Sequence, residues 1–260
     1  MLAHEVDGQG PPLLLIHGTM SSRRVWDPVR ERLARERRLI LIDLPGMGDS
    51  PVLPGANVPS QWMEAIGEVL DAVGAPHPAV MGHSMGGWTA LELAKAGRAS
   101  SVLALAPAGL WLRSPRAASR SLRTGHLMAV ATPPGLIERA MAVPAVRRFA
   151  LRDASTDGRA VPAAWAIGLA ADSRRATGFR DHFRAARSDR FRDGEQIEVP
   201  VHVVFAGNDR IATPAEAQMI GELPARAKVD RWDNCGHMLM WDATDRVIDA
   251  ALELPAPTEA

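Results

Sequence analysis

The residues whose types and spacing point to chemistry centre on one serine. Ser84 sits in Gly82-His83-Ser84-Met85-Gly86, between a short apolar run, Ala79 to Met81, and a helix-like run from Trp88 to Ala96. A serine at the tip of a sharp strand-to-helix turn is held in a strained backbone conformation. Glycine two residues away on either side leaves room where a Cβ would collide. A serine hydroxyl is a poor nucleophile at neutral pH and needs a neighbouring base. That base in turn needs a carboxylate to fix its tautomer and to stabilise the imidazolium it becomes. The order that suits a Gly-x-Ser-x-Gly serine is serine, then carboxylate, then histidine. Ser84, Asp209 and His237 meet it.

Other carboxylates and imidazoles fit less well. Asp43 precedes the serine and opens the Pro45-Gly46 turn, which reads as a turn former. Asp233 lies too near His237 along one loop to orient the ring from behind. The segment after the elbow helix ends in Ala106-Pro107 and offers no acid. His4, His77, His126, His182 and His202 lack the context, and His17 and His83 read as loop-holding hydrogen-bond partners. Acyl chemistry also needs donors for the developing oxyanion. The Met85 amide, at the start of a helix, is one. Thr19 supplies the second, with the Met20 amide as its alternative.

The elements that must position these residues alternate. Leu2 to Val6 reads as an edge strand, joined by the Asp7-Gly8-Gln9-Gly10 turn to Leu13–Ile16, whose consecutive apolar residues fit a strand buried on both faces. Ser21 or Ser22 caps a helix through about Arg37, with Val25, Trp26, Val29 and Leu33 at helical spacing. Then come a strand over Leu39–Leu44, a helix from Ser60 to Val73 closed by Gly74, the elbow strand and its helix, and a strand over Val102–Leu105. This rhythm predicts an α/β fold, a doubly wound and mostly parallel sheet. Sites in such sheets form at the carboxyl ends of the strands, where His17, Asp43, Ser84 and Ala106 fall.

From about Ser114 to Glu195 the buried-strand runs vanish. Helical patches broken by Pro133-Pro134-Gly135, Pro144, Asp157-Gly158 and Pro162 take over, with fifteen arginines against eight acids. The domain reading is a core of 1–113 and 196–260, with a helical cap of 114–195 inserted between the strand ending near 105 and the one starting near 199. The arginine excess suits a solvated face, or attraction of an anionic substrate. Strands resume over Val199–Phe205 and Lys228–Trp232, with helices at Pro214–Glu222 and Asp242–Leu252.

Composition narrows the function class. The formal net charge of zero argues against a general nucleic-acid binder. One cysteine, Cys235, excludes an internal disulfide, fits a reducing compartment and reads as a buried filler. No apolar run approaches about 18 residues and no signal-like segment opens the chain, so the expectation is a cytoplasmic protein with no membrane partner.

Together, His17-Gly18, Asp43-Leu-Pro-Gly-Met-Gly-Asp-Ser50, Gly82-His-Ser-Met-Gly-Gly87, Gly207-Asn-Asp209 and Gly236-His237 resemble the α/β-hydrolase superfamily, and within it the small cap-bearing serine esterases. The resemblance spans almost the whole chain except the cap. It implies Ser84 as nucleophile, His237 as general base and acid, and Asp209 as orienting acid. It implies an acyl-enzyme, a small, largely apolar ester, thioester or lactone as partner, and no cofactor or metal. Ser84 is unlike the branches with an aspartate nucleophile, which disfavours epoxide hydrolase and haloalkane dehalogenase chemistry. The family's carbon–carbon hydrolases commonly place Trp after the catalytic histidine, where Met238 stands. The short segment before Leu13 implies loss of the family's first edge strand. Trp111, Met128, Phe149 and Trp165 are candidates for an acyl pocket, each equally explained as packing between cap helices; Met20, Met238 and Met240 are nearer the chemistry. The same triad also serves lyases, perhydrolases and biosynthetic cyclases, and the fold serves ligand receptors.

Overall fold

The computed structural model describes residues 1–111, 116–212 and 220–256, with residues 116–119 by backbone alone. Seven strands form one sheet: β1 (His4–Asp7), β2 (Pro12–Ile16), β3 (Arg38–Ile42), β4 (Ala79–His83), β5 (Ser101–Leu105), β6 (Val201–Ala206) and β7 (Lys228–Trp232). Their spatial order is β1-β3-β2-β4-β5-β6-β7. Only β1 runs antiparallel. The turn after β1 leads into β2 without pairing with it, because β3 lies between them.

The five inner strands are buried on both sides, and the two-residue period of a strand sorts their apolar runs. Leu14, Ile16, Ile40, Ile42, Val80, Val102 and Val203 face one layer. There they meet Ile66, Val69 and Leu70 of α2 (Met63–Ala72) and Trp88 and Leu91 of α3 (Met85–Lys95). Leu13, Leu15, Leu39, Leu41, Met81, Leu103 and Val204 face the other, against α1 (Asp27–Leu33) and the C-terminal helix. The helix expected from Ser21 or Ser22 to Arg37 is shorter. Ser22 caps a 3-10 turn over Arg23–Trp26, and α1 ends at Leu33. Gly74 closes α2 as expected, with φ 65° and the Ala75 amide donating to Leu70 O.

Between β5 and β6 the chain leaves the sheet as α4 (Arg116–Ala131), α5 (Pro134–Ala142), α6 (Pro144–Ala150), α7 (Ala163–Arg175) and α8 (Phe179–Ala185), which form a cap. The cap's own apolar cluster is small: Leu151, Val161 and Ala166, with Met141, Trp165 and Trp241 against it. It rests on the core at specific points. The Gly178 amide donates to Gly46 O at 2.9 Å. Ser22 Oγ and the Arg24 guanidinium both engage the buried carboxylate of Asp172. Most of the helix expected over Pro214–Glu222 lies outside the described residues, and Ile220–Glu222 is a 3-10 turn. The chain closes with α9 (Leu239–Asp242) and α10 (Thr244–Leu252). Among the described residues no helix is long and apolar enough to cross a membrane.

Candidate active site

Strand β4 delivers Ser84 to the sheet's carboxyl edge with φ 54° and ψ −115°, a conformation L-residues rarely adopt. The surroundings impose it. The Ser84 amide donates to Leu105 O at 2.9 Å, and its carbonyl accepts from the Gly87, Trp88 and Ala108 amides. The two glycines of the turn are required for different reasons. A Cβ on Gly82 would lie 2.1 Å from Gly86 O, across the turn. A Cβ on Gly86 would lie 2.1 Å from Ile16 O, on the neighbouring strand β2. Gly18 is close-packed but less tightly, a built Cβ lying 3.0 Å from His83 Nδ1 and 3.1 Å from Ser84 Cβ. Ser84 Oγ itself has no hydrogen-bond partner among the described residues.

Asp209 follows β6 and His237 follows β7, and the structure brings them together: His237 Nδ1 lies 2.8 Å from Asp209 Oδ2. Both side chains are buried. The other carboxylate oxygen of Asp209 accepts from the Ile211 and Ala212 amides at 2.7 and 2.8 Å, which fixes the plane it presents to the ring. The two loops are also tied directly, the Asn208 amide donating to Cys235 O. Burial pushes the Cys235 thiol up, as suits an inert filler. Asp233 is solvent-exposed and pairs with Arg231 instead.

The two other nearby histidines hold loops. His17 is fully buried, and its Nε2 accepts from the Leu44 amide at 2.9 Å, so Nδ1 carries the proton and donates to Gly18 O. Burial holds its pKa below the ordinary histidine value. His83 Nε2 donates to His237 O at 2.9 Å, and its pKa is held well below the ordinary value, by burial first and by His237 second. Asp43 does more than form a turn. It is fully buried, accepts from the Arg23 and Asp49 amides, and pairs with the Arg23 guanidinium.

The Thr19, Met20 and Met85 amides engage no hydrogen bond among the described residues, so each is available to an acceptor. Met20 is also a positive-φ residue (58°) and is buried under the cap, its sulfur 3.7 Å from Ser173 Oγ of α7. Met238 and Met240 are buried in the second apolar layer with Leu239. Trp111 is half-buried against the first layer. Met128 and Phe149 are 61% and 69% exposed on faces that α4 and α6 turn to solvent, the Phe149 ring lying under the Arg152 guanidinium at 4.3 Å. Trp165 stacks on Trp241 at 6.4 Å between ring centroids. It lines a cavity of about 330 Å³ at the seam of cap and core, with Ser21, Val25, Leu169 and Asp172, and none of Ser84, Asp209 and His237 borders it.

His83, read from the sequence as a loop holder, does hold the His237 carbonyl. The sequence left Asp242 unassigned: it accepts the Gly236 amide at 2.7 Å, a backbone contact that leaves no residue-type signature.

A family model described as the alpha/beta hydrolase family matches residues 13–250. The chain is 30% identical over 187 residues to an epoxide hydrolase, EphH, of Mycobacterium tuberculosis, covering 69% of this chain and 86% of that protein. It is 40% identical over 89 residues, about a third of either protein, to a pimeloyl-[acyl-carrier protein] methyl ester esterase of Aeromonas salmonicida. Among solved structures it is similar to naproxen esterase of Bacillus subtilis, with a TM-score of 0.76, covering 96% of this chain and 86% of that one at 19% identity. At that identity the likeness is one of fold.

Proposed function

Because the chain belongs to the α/β hydrolase family and is a hydrolase of that fold, we propose that it cleaves small carboxylic esters through an acyl-enzyme on Ser84. Thioesters and lactones fall within the same chemistry. The observation that carries this is the Asp209–His237 contact of 2.8 Å, at the strand ends that also carry the strained Ser84.

In this mechanism the Ser84 Oγ–H proton passes to His237 Nε2 as Oγ attacks the substrate carbonyl carbon. His237 keeps its Nδ1–H toward Asp209, whose carboxylate stabilises the imidazolium. The carbonyl oxygen takes the negative charge, and the free amides of Thr19 and Met85 receive it. Collapse expels the alcohol, which takes the proton from Nε2. Water then gives its proton to Nε2 and attacks the acyl carbon, and collapse releases the acid while Ser84 Oγ takes the proton back from Nε2. The mechanism requires a Ser84 Oγ–His237 Nε2 hydrogen bond in the substrate complex, where catalytic hydrogen bonds tighten.

Two names among the relatives point to different bonds, and the nucleophile decides between them. A serine oxygen opening an epoxide forms an ether, which water and a histidine do not cleave, so turnover would stop. A serine acylated by an ester forms another ester, which the same base can hydrolyse. We therefore assign ester-type substrates, and we take residues 114–195 as the cap unit that selects among them.

A p-nitrophenyl ester tests the proposal. Wild-type protein is expected to release a burst of about one p-nitrophenol per chain, and Ser84→Ala to lower kcat/KM by at least about 10³-fold. Undiminished turnover in that variant, or no labelling of Ser84 by a fluorophosphonate, overturns it.

A further inference from the structure

The backbone around His237 is held from three directions. His83, at the end of β4, donates to the His237 carbonyl at 2.9 Å. The Met238 amide donates to Ala154 O, in the cap, at 2.8 Å. The Gly236 amide donates to Asp242 Oδ2 at 2.7 Å.

Asp242 also reaches into the cap. It accepts from Ser155 Oγ at 2.6 Å, from the Thr156 amide at 2.8 Å and from Thr156 Oγ1 at 3.1 Å. All four groups are donors, and a carboxylate, with acceptor lone pairs only, matches them without a conflicting hydrogen. The packing is close at the same point. A Cβ on Gly236 would come within 2.9 Å of Ala154 O and 3.0 Å of Ser155 Cα, so the base loop and the cap segment touch backbone to backbone. Ser155 is buried. One side chain therefore joins the peptide entering His237 to the segment that follows α6.

We propose that Asp242 is a positioning residue for His237, and that through Asp242 the placement of the base depends on the cap segment Ala154–Thr156 being seated. This rests on the serine-hydrolase reading above. If that segment lifts, the Met238 amide loses its acceptor and Asp242 loses three of its four donors, so the carboxylate that receives the Gly236 amide is no longer fixed. A misplacement of about 1 Å in a reacting group is enough to cost up to about 100-fold in rate. The loss falls on kcat, because Asp242 acts on the base and not on the substrate.

The test is turnover per active site, with Ser84 titrated by a fluorophosphonate well below the melting temperature. Asp242→Ala is expected to lower kcat per titrated site about tenfold with KM within about twofold. Asp242→Asn keeps an acceptor for Gly236 and Thr156, and its amide can donate to Ser155 Oγ, so it is expected to recover to within about threefold. Ser155→Ala combined with Thr156→Val, on the cap side, is expected to cost about threefold alone and nothing further in the Asp242→Ala background. A wild-type kcat per titrated site in Asp242→Ala overturns the proposal whatever its melting temperature. Fully additive losses overturn the cap coupling, as does an unchanged kcat in the cap-side variant should Asp242→Ala fail to fold. Absence of a titratable Ser84 in the wild type removes the serine-hydrolase reading itself, and with it this one.

Discussion

The carboxyl edge of the sheet and the cap above it are built by opposite means. At the edge, Met20, Ser84, Ala106 and Asn234 follow β2, β4, β5 and β7, and they are four of the five non-glycine residues with positive φ among those described. Such conformations persist only where neighbouring atoms over-determine them. Here strand carbonyls, glycine contacts and buried histidines do so. The cap shows little of this. Leu127, Met128, Val130, Leu136 and Phe149 are exposed, and its private apolar cluster has three buried members. It is held on the core, by Asp172, Gly178 and Asp242 and by Phe179 and Phe191 buried in the first apolar layer, more than by a core of its own. The chemistry proposed above, which tolerates little displacement, thus falls on the over-determined part, and the cap to which the proposal gives substrate choice falls on the more lightly held part.

The largest expected effect tests the over-determined half. Gly86→Ala places a Cβ 2.1 Å from Ile16 O and 2.5 Å from His17 O, both backbone atoms of the central sheet. No rotamer relieves the clash. A loss of at least about 4 kcal/mol is expected, seen as insoluble protein or a melting temperature lower by about 10 °C. A variant that folds and melts like the wild type would mean the elbow is not pressed against β2, and the contrast would fail on its stronger side.

That half was also the legible one. Consecutive apolar residues in β2, β3, β4 and β5 announce strands buried on both faces. Asp209 and His237 stood out because each follows a strand expected from the sequence, although β7, unlike β6, is mostly exposed. What stayed hidden was whatever depends on pairing between distant backbone groups. The Asp7–Gly10 turn reads as a link to the next strand, yet Gly8 and Gly10 pack against Ala34 O and Glu36 O at the end of α1, and β1 pairs with β3. Asp242 reads as the start of an amphipathic helix, and nothing in its neighbours reports that a cap serine and a glycine amide converge on it. In the cap, Trp165 has the composition of a pocket wall in any arrangement, and only the packing shows that it stacks on Trp241. Proline and arginine spacing marks where cap helices break, not which faces they turn inward.

An intermediate effect probes the seam itself through pH. His17 and His83 lie under the site, while His182 on α8 is buried against Trp62, with ring centroids 5.0 Å apart and Nε2 unpartnered among the described residues. All three rings are held below the ordinary value by burial, His182 at about 4. Unfolded histidines take up protons near pH 6.5 and these folded ones do not, so the unfolded state binds more protons below that pH. Stability is therefore full above about pH 6.5 and declines as the pH falls, for His182 until about 4. His182 contributes up to about 1.4 kcal/mol per pH unit within that window. His182→Phe keeps the ring contact with Trp62 and removes one titration, so its melting temperature is expected to fall less between pH 7 and pH 5. Parallel losses in variant and wild type would show that His182 is already solvated and the seam looser than described.

The smallest effect addresses whether the cap and the sheet unfold as one. Gly125 lies within α4, and a Cβ built there has nothing within 4 Å. Alanine in a helix interior is favoured over glycine by about 0.5–1 kcal/mol, through lost backbone freedom in the unfolded chain. If cap and core are one cooperative unit, Gly125→Ala raises the global melting temperature by about 1–4 °C. If the seams open first, the gain appears only as slower hydrogen exchange of α4 amides, and the main transition does not move. The second outcome would make the contrast energetic as well as architectural: a sheet edge that stays folded while its cover comes and goes. The first would mean that the cap's attachments to the core suffice to make the cover as stable as the edge it sits on, despite the small size of its own apolar cluster.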